Sequence, residues 1–445
     1  MMLLNEGRCT KDEIDGQRGN NTVDIERRLT LRNNFIWTFF GNGTYNGCQW
    51  AILVVLAKLG SPELVGRYTL ALALTAPIFM LSNMNLAVVL ASDAKNRNSL
   101  GDYFALRVLC SIASLGIVAL LASLGRYGGV LAPVVALVVF AKFVESLSDI
   151  AYGQMQKHER LDFMAISMMI KGLVSLVVFS LMQYFTGSLS LSLAGLCVVW
   201  TLLLLTYDIP VVRRWEPVRP VFSLEKVKGL LLLSIPLGIV SFLGSLSVQV
   251  PRFAMEHFRG ERELGLFAAV TSLGLLARLV TLALSRAALP RLSIHYAAGD
   301  MDRFKKLIIR LMSLGLAVGM AGILAAWFYG STLLTWMFTK EYAGYTDVLM
   351  VVMLGAGLTT AFNFMGTAAT AAQRFTPQIV VHAAKILSIA GICLATVPAY
   401  GGLGAAWAFV GGTLVSCLAY SFIVWKAVQD RVVGLGPTRA SEGTP

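Results

Sequence analysis

From Leu31 onward the chain is a near-continuous series of apolar windows separated by short polar breaks. Each window is close to the roughly 20 mainly apolar residues that one helix needs to cross a bilayer's hydrocarbon core. In hydrocarbon every backbone polar group must be satisfied within the protein, so such a chain crosses as helices or closes into a β-barrel. Barrel strands would alternate over segments of about ten residues, whereas Leu115 to Leu124 and Val130 to Phe140 are apolar at nearly every position. The expected fold class is therefore all-α. Twelve spans are predicted near residues 35–58, 68–92, 103–125, 129–152, 161–183, 188–208, 229–254, 264–289, 307–330, 344–368, 376–397 and 402–426. Gly355, Gly357 and Asn363 interrupt the tenth. The first 34 residues mix both charge signs and lack a short apolar stretch ending in a small-residue cleavage site, so the first apolar segment is expected to remain as a span.

Charge gives the orientation. Of the 445 residues 56% are hydrophobic and 14% charged, with a net charge of +12; soluble chains carry about 25% charged residues. With the amino terminus in the cytoplasm, and residues near a span end counted with the adjoining loop, 26 of the 37 Lys and Arg residues fall on that side and 7 on the other. The remaining four, Lys142, Lys171, Arg278 and Lys385, fall inside spans. This bias predicts that both termini are cytoplasmic and accounts for most of the basic excess without nucleic acid. The six cysteines, Cys9, Cys48, Cys110, Cys197, Cys393 and Cys417, are scattered without metal-ligand spacing, and are read as packing residues.

An internal repeat divides the chain. At an offset of 200 residues Gln49 matches Gln249, Gly60 matches Gly260, Glu63 matches Glu263 and Leu64 matches Leu264. At an offset of 214, Arg160 matches Arg374 and Lys171 matches Lys385. A longer loop around 291–306 explains the growth in offset. The predicted organisation is a polar cytoplasmic tail (1–34), a six-helix bundle (35–208), a cytoplasmic linker (209–228), a second six-helix bundle (229–427) and a second tail (428–445). An even number of crossings gives the bundles like orientation, hence a pseudo-two-fold axis along the membrane normal with a cavity between them.

Ionisable groups inside a membrane usually face a cavity or a partner. Lys142, Glu145 and Asp149 stack on one helical face at i, i+3 and i+7. They read either as a structural ion-pair ladder or as a site where Glu145 or Asp149 binds a proton or Na⁺. Lys171 and Lys385, as symmetry mates, are expected to face each other across the cavity; snorkelling is the plainer alternative. Arg278 lies near mid-span, and Arg252 either pairs with Glu256 at an interface or lines the cavity. Basic residues in this layer would attract an anion. Span one adds Asn42, Asn46 and Gln49 among Gly41, Gly43 and Gly47, and span seven adds Gln249; the small residues read equally as close helix packing. No nucleotide-binding loop, HExxH or paired Cys or His ligands occur, so neither a cofactor nor a metal is expected.

The segments LGSPELVGRYTLALAL, YGQMQKHERLDFMAIS and SIPLGIVSFLGSLSVQVPRFAMEHFRGERELGLFAAVTSL resemble the polysaccharide repeat-unit flippases. These are bacterial inner-membrane exporters of the multidrug, oligosaccharidyl-lipid and polysaccharide (MOP) superfamily. The resemblance covers about residues 32–427. It implies alternating access that carries an undecaprenyl-pyrophosphate-linked oligosaccharide from the cytoplasmic to the periplasmic leaflet, with membrane lipids, a polysaccharide polymerase and a chain-length regulator as partners. It places the substrate's anionic groups on Arg252, Arg278, Lys142, Lys171 and Lys385. The alternatives are a multidrug extruder of the same superfamily, which would want acidic lumen residues, a peptidoglycan-precursor flippase, a membrane-embedded glycosyltransferase or polymerase, and a non-transporting scaffold.

Overall fold

The computed structural model describes residues 29–93, 98–124, 129, 131–372, 374 and 376–432; at some helical positions, Arg278 and Arg286 included, only the backbone is described. No strand occurs among the described residues. The first lobe comprises α1 (Leu31–Leu59), α2 (Pro62–Asn83, resumed at Leu86–Ser92), α3 (Leu100–Leu124), α4 (Leu131–Lys157), α5 (Leu161–Thr186) and α6 (Leu189–Leu203, prolonged through a π turn to Val212). The second comprises α7 (224–259), α8 (261–272, resumed at Leu275–Ala297), α9 (Met301–Met337), α10 (Thr346–Ala371), α11 (376–400) and α12 (402–432).

Nine helical stretches among the described residues are long and apolar enough to cross a membrane. Two of them continue past a non-helical glycine, Gly260 or Gly401: 377–430 holds α11 and α12, and 225–272 holds α7 and the start of α8, which resumes to Ala297. With α1, whose Asn- and Gly-rich half lowers its hydropathy, this makes twelve. The chain is a multi-pass membrane protein. Exposed aromatics form two girdles of the kind that sit at membrane interfaces. Tyr184, Phe185, Trp336 and Tyr400 ring the side away from the termini, and Phe35, Phe222 and Trp425 ring the termini side.

The backbone repeats as the sequence does. Gly60 and Gly260 both separate the first and second helices of their lobes. The 214-residue offset also pairs Gly187 (φ 62°) with Gly401 (φ 53°), each turning the chain between the fifth and sixth helices of its lobe. Both occupy the left-handed region that only glycine enters without strain. Small residues then decide which helices lie closest. Gly41 of α1 abuts the Ala165 backbone of α5, and Gly319 of α9 meets Gly357 of α10 backbone to backbone. Packing is therefore the role of Gly41 and Gly357, while Gly43 and Gly47 face open space.

Local sequence also fixes the start of α2. Ser61 caps the Leu64 amide, Pro62 occupies the first turn and Glu63 complements the helix dipole. That start sets where Gly66 meets the second lobe. The linker is held to the first lobe: Glu216 accepts from the Leu100 amide (2.8 Å), the Val221 amide donates to Gly101 (3.2 Å), and Lys226 pairs with Asp102 (3.2 Å).

Candidate functional site

Three polar features interrupt the apolar packing. The first is a charge cluster inside the first lobe. Arg107 of α3, fully buried, donates to Asp149 of α4 at 2.7 Å and to Asn83 of α2. Lys142 pairs with Glu145 (2.7 Å), which also accepts from the Tyr45 hydroxyl of α1 (2.7 Å). Lys171 of α5, 1% exposed, donates to Ser148 (2.8 Å) and lies 5.4 and 5.5 Å from the Tyr152 and Trp200 ring centroids. The π turn of α6 ends on buried Asp208, which accepts from Ser167 (2.6 Å). Three cations thus meet three carboxylates, so the cluster is close to neutral. A charge buried in apolar surroundings persists only with such partners.

This corrects one expectation. Lys171 does not face a cavity between the lobes: it is 1% exposed and bonded to Ser148 within its own lobe. The two cations and two carboxylates that the sequence places inside this lobe are joined by a third of each, Arg107, which α3 buries two turns in from Leu100, and Asp208.

The second feature lies in the other lobe, on the termini side of mid-span. A cavity of about 480 Å³ opens among α8, α10, α11 and α12, lined by Thr359, Asn363, Gln378, His382, Lys385 and Ser416 together with further Ser and Thr hydroxyls. Lys385 approaches the Phe409 ring (5.0 Å), and no carboxylate lines the cavity among the described residues.

The third is the seam on the side away from the termini, where α2 crosses α8. A Cβ on Gly66 would stand 1.9 Å from the Glu261 carbonyl oxygen, and one on Gly265 1.8 Å from that of Pro62. These reciprocal contacts are what a two-fold predicts. Around them Arg67 pairs with Glu261 (2.7 Å), and Arg262 lies 3.8 Å from Glu63 and 3.2 Å from Glu341. Trp50 of α1 donates to Ser272 of α8 (3.1 Å). Partly exposed pairs of this kind contribute about 1 kcal/mol each. Glu261→Gln should therefore raise the population open on this side about fivefold, measured as spin-label distances between Thr186 and Tyr400.

The remaining candidates scatter. Asn42 and Asn46 donate to backbone carbonyls one turn earlier, Thr38 and Asn42 (both 2.8 Å), as helix-internal bonds. Gln49 has a buried side-chain amide nitrogen with no partner among the described residues. Arg252 donates to buried Gln249 (3.0 Å). The side chain of Arg278 lies outside the described residues. The neutral lining of the second-lobe cavity was invisible to a search for charges. Its signal is the 214-residue offset, which carries Glu145 onto Thr359 and Asp149 onto Asn363.

Two six-helix lobes with a reciprocal seam make a multi-pass membrane protein with the fold seen in solved transporters of the MOP superfamily. The lipid II flippase MurJ in an inward closed conformation superposes with a TM-score of 0.70 at 16% identity, covering 93% of this chain and 94% of that one. An inward-facing multidrug resistance MATE transporter of the MOP superfamily gives 0.64 at 13% identity, covering 88% and 96%. The capsular polysaccharide biosynthesis protein CapF of Staphylococcus aureus is 27% identical over 391 residues, 87% of this chain and 98% of that protein. Residues 31–296 match the family model for polysaccharide biosynthesis proteins, and the chain belongs to that family.

Proposed function

We propose that the protein flips undecaprenyl-pyrophosphate-linked oligosaccharide repeat units from the cytoplasmic to the periplasmic leaflet of a bacterial inner membrane by alternating access, with both termini cytoplasmic. The observation that carries this reading is the seam. Its ion pairs and glycine crossing hold the lobes together on the side away from the termini, over an apolar core that α2 and α8 share. A saccharide and its phosphates cannot cross hydrocarbon unaided, so a cleft that opens alternately to each side meets the physical demand. Membership of a polysaccharide biosynthesis family supports the substrate class, and the basic bias of the loops supports the orientation. We assign ion coupling to Glu145 and Asp149, whose partners Lys142, Tyr45 and Arg107 could exchange when a proton or Na⁺ binds. The exported units would pass to a polymerase and a chain-length regulator.

The test is deletion of the encoding gene in the native host. Surface polysaccharide should be lost while complete lipid-linked repeat units accumulate on the cytoplasmic leaflet. Normal polysaccharide with heightened sensitivity to cationic drugs would overturn the reading in favour of an extruder.

A further inference from the structure

The repeat offers a comparison internal to the molecule. The offset that superposes Lys171 on Lys385 also superposes Glu145 on Thr359 and Asp149 on Asn363. In the first lobe the ammonium has carboxylates and a serine around it and is sealed, with 1% of its surface exposed. In the second lobe the equivalent ammonium lines a cavity in which both equivalent carboxylates are neutral. The same offset carries Lys142 onto Ala356 and Asp208 onto Phe422, so among these positions only Lys385 keeps a charge in the second lobe.

We infer that the cavity between α8, α10, α11 and α12 is a binding site for a phosphate or pyrophosphate group, with Lys385 as its charged anchor. The other lining groups suit that chemistry. Asn363 and Gln378 bring amide N–H donors, and Thr359, Ser416 and the neighbouring hydroxyls bring O–H donors. A carboxylate presents two oxygens and would leave much of this donor set unmatched, whereas a pyrophosphate presents several oxygens over two tetrahedral centres. About 480 Å³ also falls in the range of small-molecule sites, large enough for a pyrophosphate and the sugar attached to it. The lining lies on the termini side of each contributing helix, the cytoplasmic side in the orientation proposed above. The site rests on the translocation reading for its natural ligand, the lipid-linked pyrophosphate, but not for its chemistry.

The experiment uses the full-length protein in lipid nanodiscs, with farnesyl pyrophosphate and inorganic pyrophosphate as probes and dissociation constants measured by microscale thermophoresis. Lys385→Met should weaken binding at least tenfold, and Lys385→Arg should stay within about threefold of the parent. Asn363→Asp keeps the lysine but puts a carboxylate in the cavity that competes for it, and it too should weaken binding at least tenfold. Because Asn363→Asp is nearly isosteric and leaves Lys385 in place, it keeps the test decisive even if Lys385→Met fails to assemble. Tighter binding of farnesyl pyrophosphate than of inorganic pyrophosphate supports a lipid-linked ligand, and equal binding supports a soluble phosphate compound in the same site. Binding that is absent from the parent, or unchanged in both Lys385→Met and Asn363→Asp, overturns the site. Normal polysaccharide in the deletion strain overturns the flippase reading while leaving Lys385-dependent binding in place, so the two failures are distinguishable.

Discussion

Gly66→Ala should hold the lobes apart on the side away from the termini and reduce translocation at least tenfold. Its added Cβ would lie 1.9 Å from the Glu261 carbonyl oxygen, a backbone atom that no side-chain rotation can move. The closed seam must therefore open or deform. Overpacking of this kind costs about 1–3 kcal/mol, enough to shift a two-state equilibrium by roughly 5- to 150-fold. Gly265→Ala should act identically from the other lobe, since its Cβ would meet the Pro62 carbonyl at 1.8 Å. Spin labels at Thr186 and Tyr400 should report a longer distance in both variants. A distribution unchanged from the parent would mean that this crossing is not the gate.

The second large effect is expected at Arg107. Arg107 is fully buried but the Asp149 side chain is 41% exposed, so removing the arginine leaves a carboxylate that water partly hydrates, at a cost of about 1–3 kcal/mol, whereas replacing both is often close to neutral. Arg107→Leu should thus lower the melting temperature of the detergent-solubilised protein sharply, because Asp149 and Asn83 lose the group they share. The double variant Arg107→Leu/Asp149→Leu should recover at least half of that loss. Equal instability in single and double variants would show that the arginine acts through packing and not through its charge. The recovered double variant also tests coupling. A stable protein that no longer translocates supports Asp149 as an ion-binding group, and a stable protein with parental activity removes it from the mechanism.

The helical class, the twelve spans and the two-lobed repeat were all legible in the sequence, because hydrocarbon thickness and internal hydrogen bonding leave a chain few solutions. Gly60 and Gly260 were visible as repeated residues, and the backbone explains their repetition as the turns between paired helices. Facing was harder to read. When nearly every side of a helix is apolar, periodicity does not say whether Lys171 points into its own lobe or toward the cleft. The answer depends on Ser148, Tyr152 and Trp200, which close around the ammonium from α4 and α6 and which no local pattern announced. Arg107 is hidden for a different reason. It lies within the span predicted at 103–125 but close enough to its end to group with the loop charges, whereas the helix starts at Leu100 and buries it. Thr359 and Asn363 carry no formal charge, and they become informative only beside the carboxylates they replace.

The linker has a mechanical consequence. Glu216, Val221 and Lys226 are fastened to the start of α3, so the stretch that joins the lobes travels with the first of them as ballast. In the alternating access proposed above, relative rotation would be absorbed beyond Lys226, within α7 itself, where Pro236 withdraws one backbone hydrogen bond and Gly238 rests against the Leu81 carbonyl of α2. The second lobe would then swing on a flexure cut into one of its own struts rather than on a loose strap, which would confine its travel to an arc and return the same two faces to register at every closure.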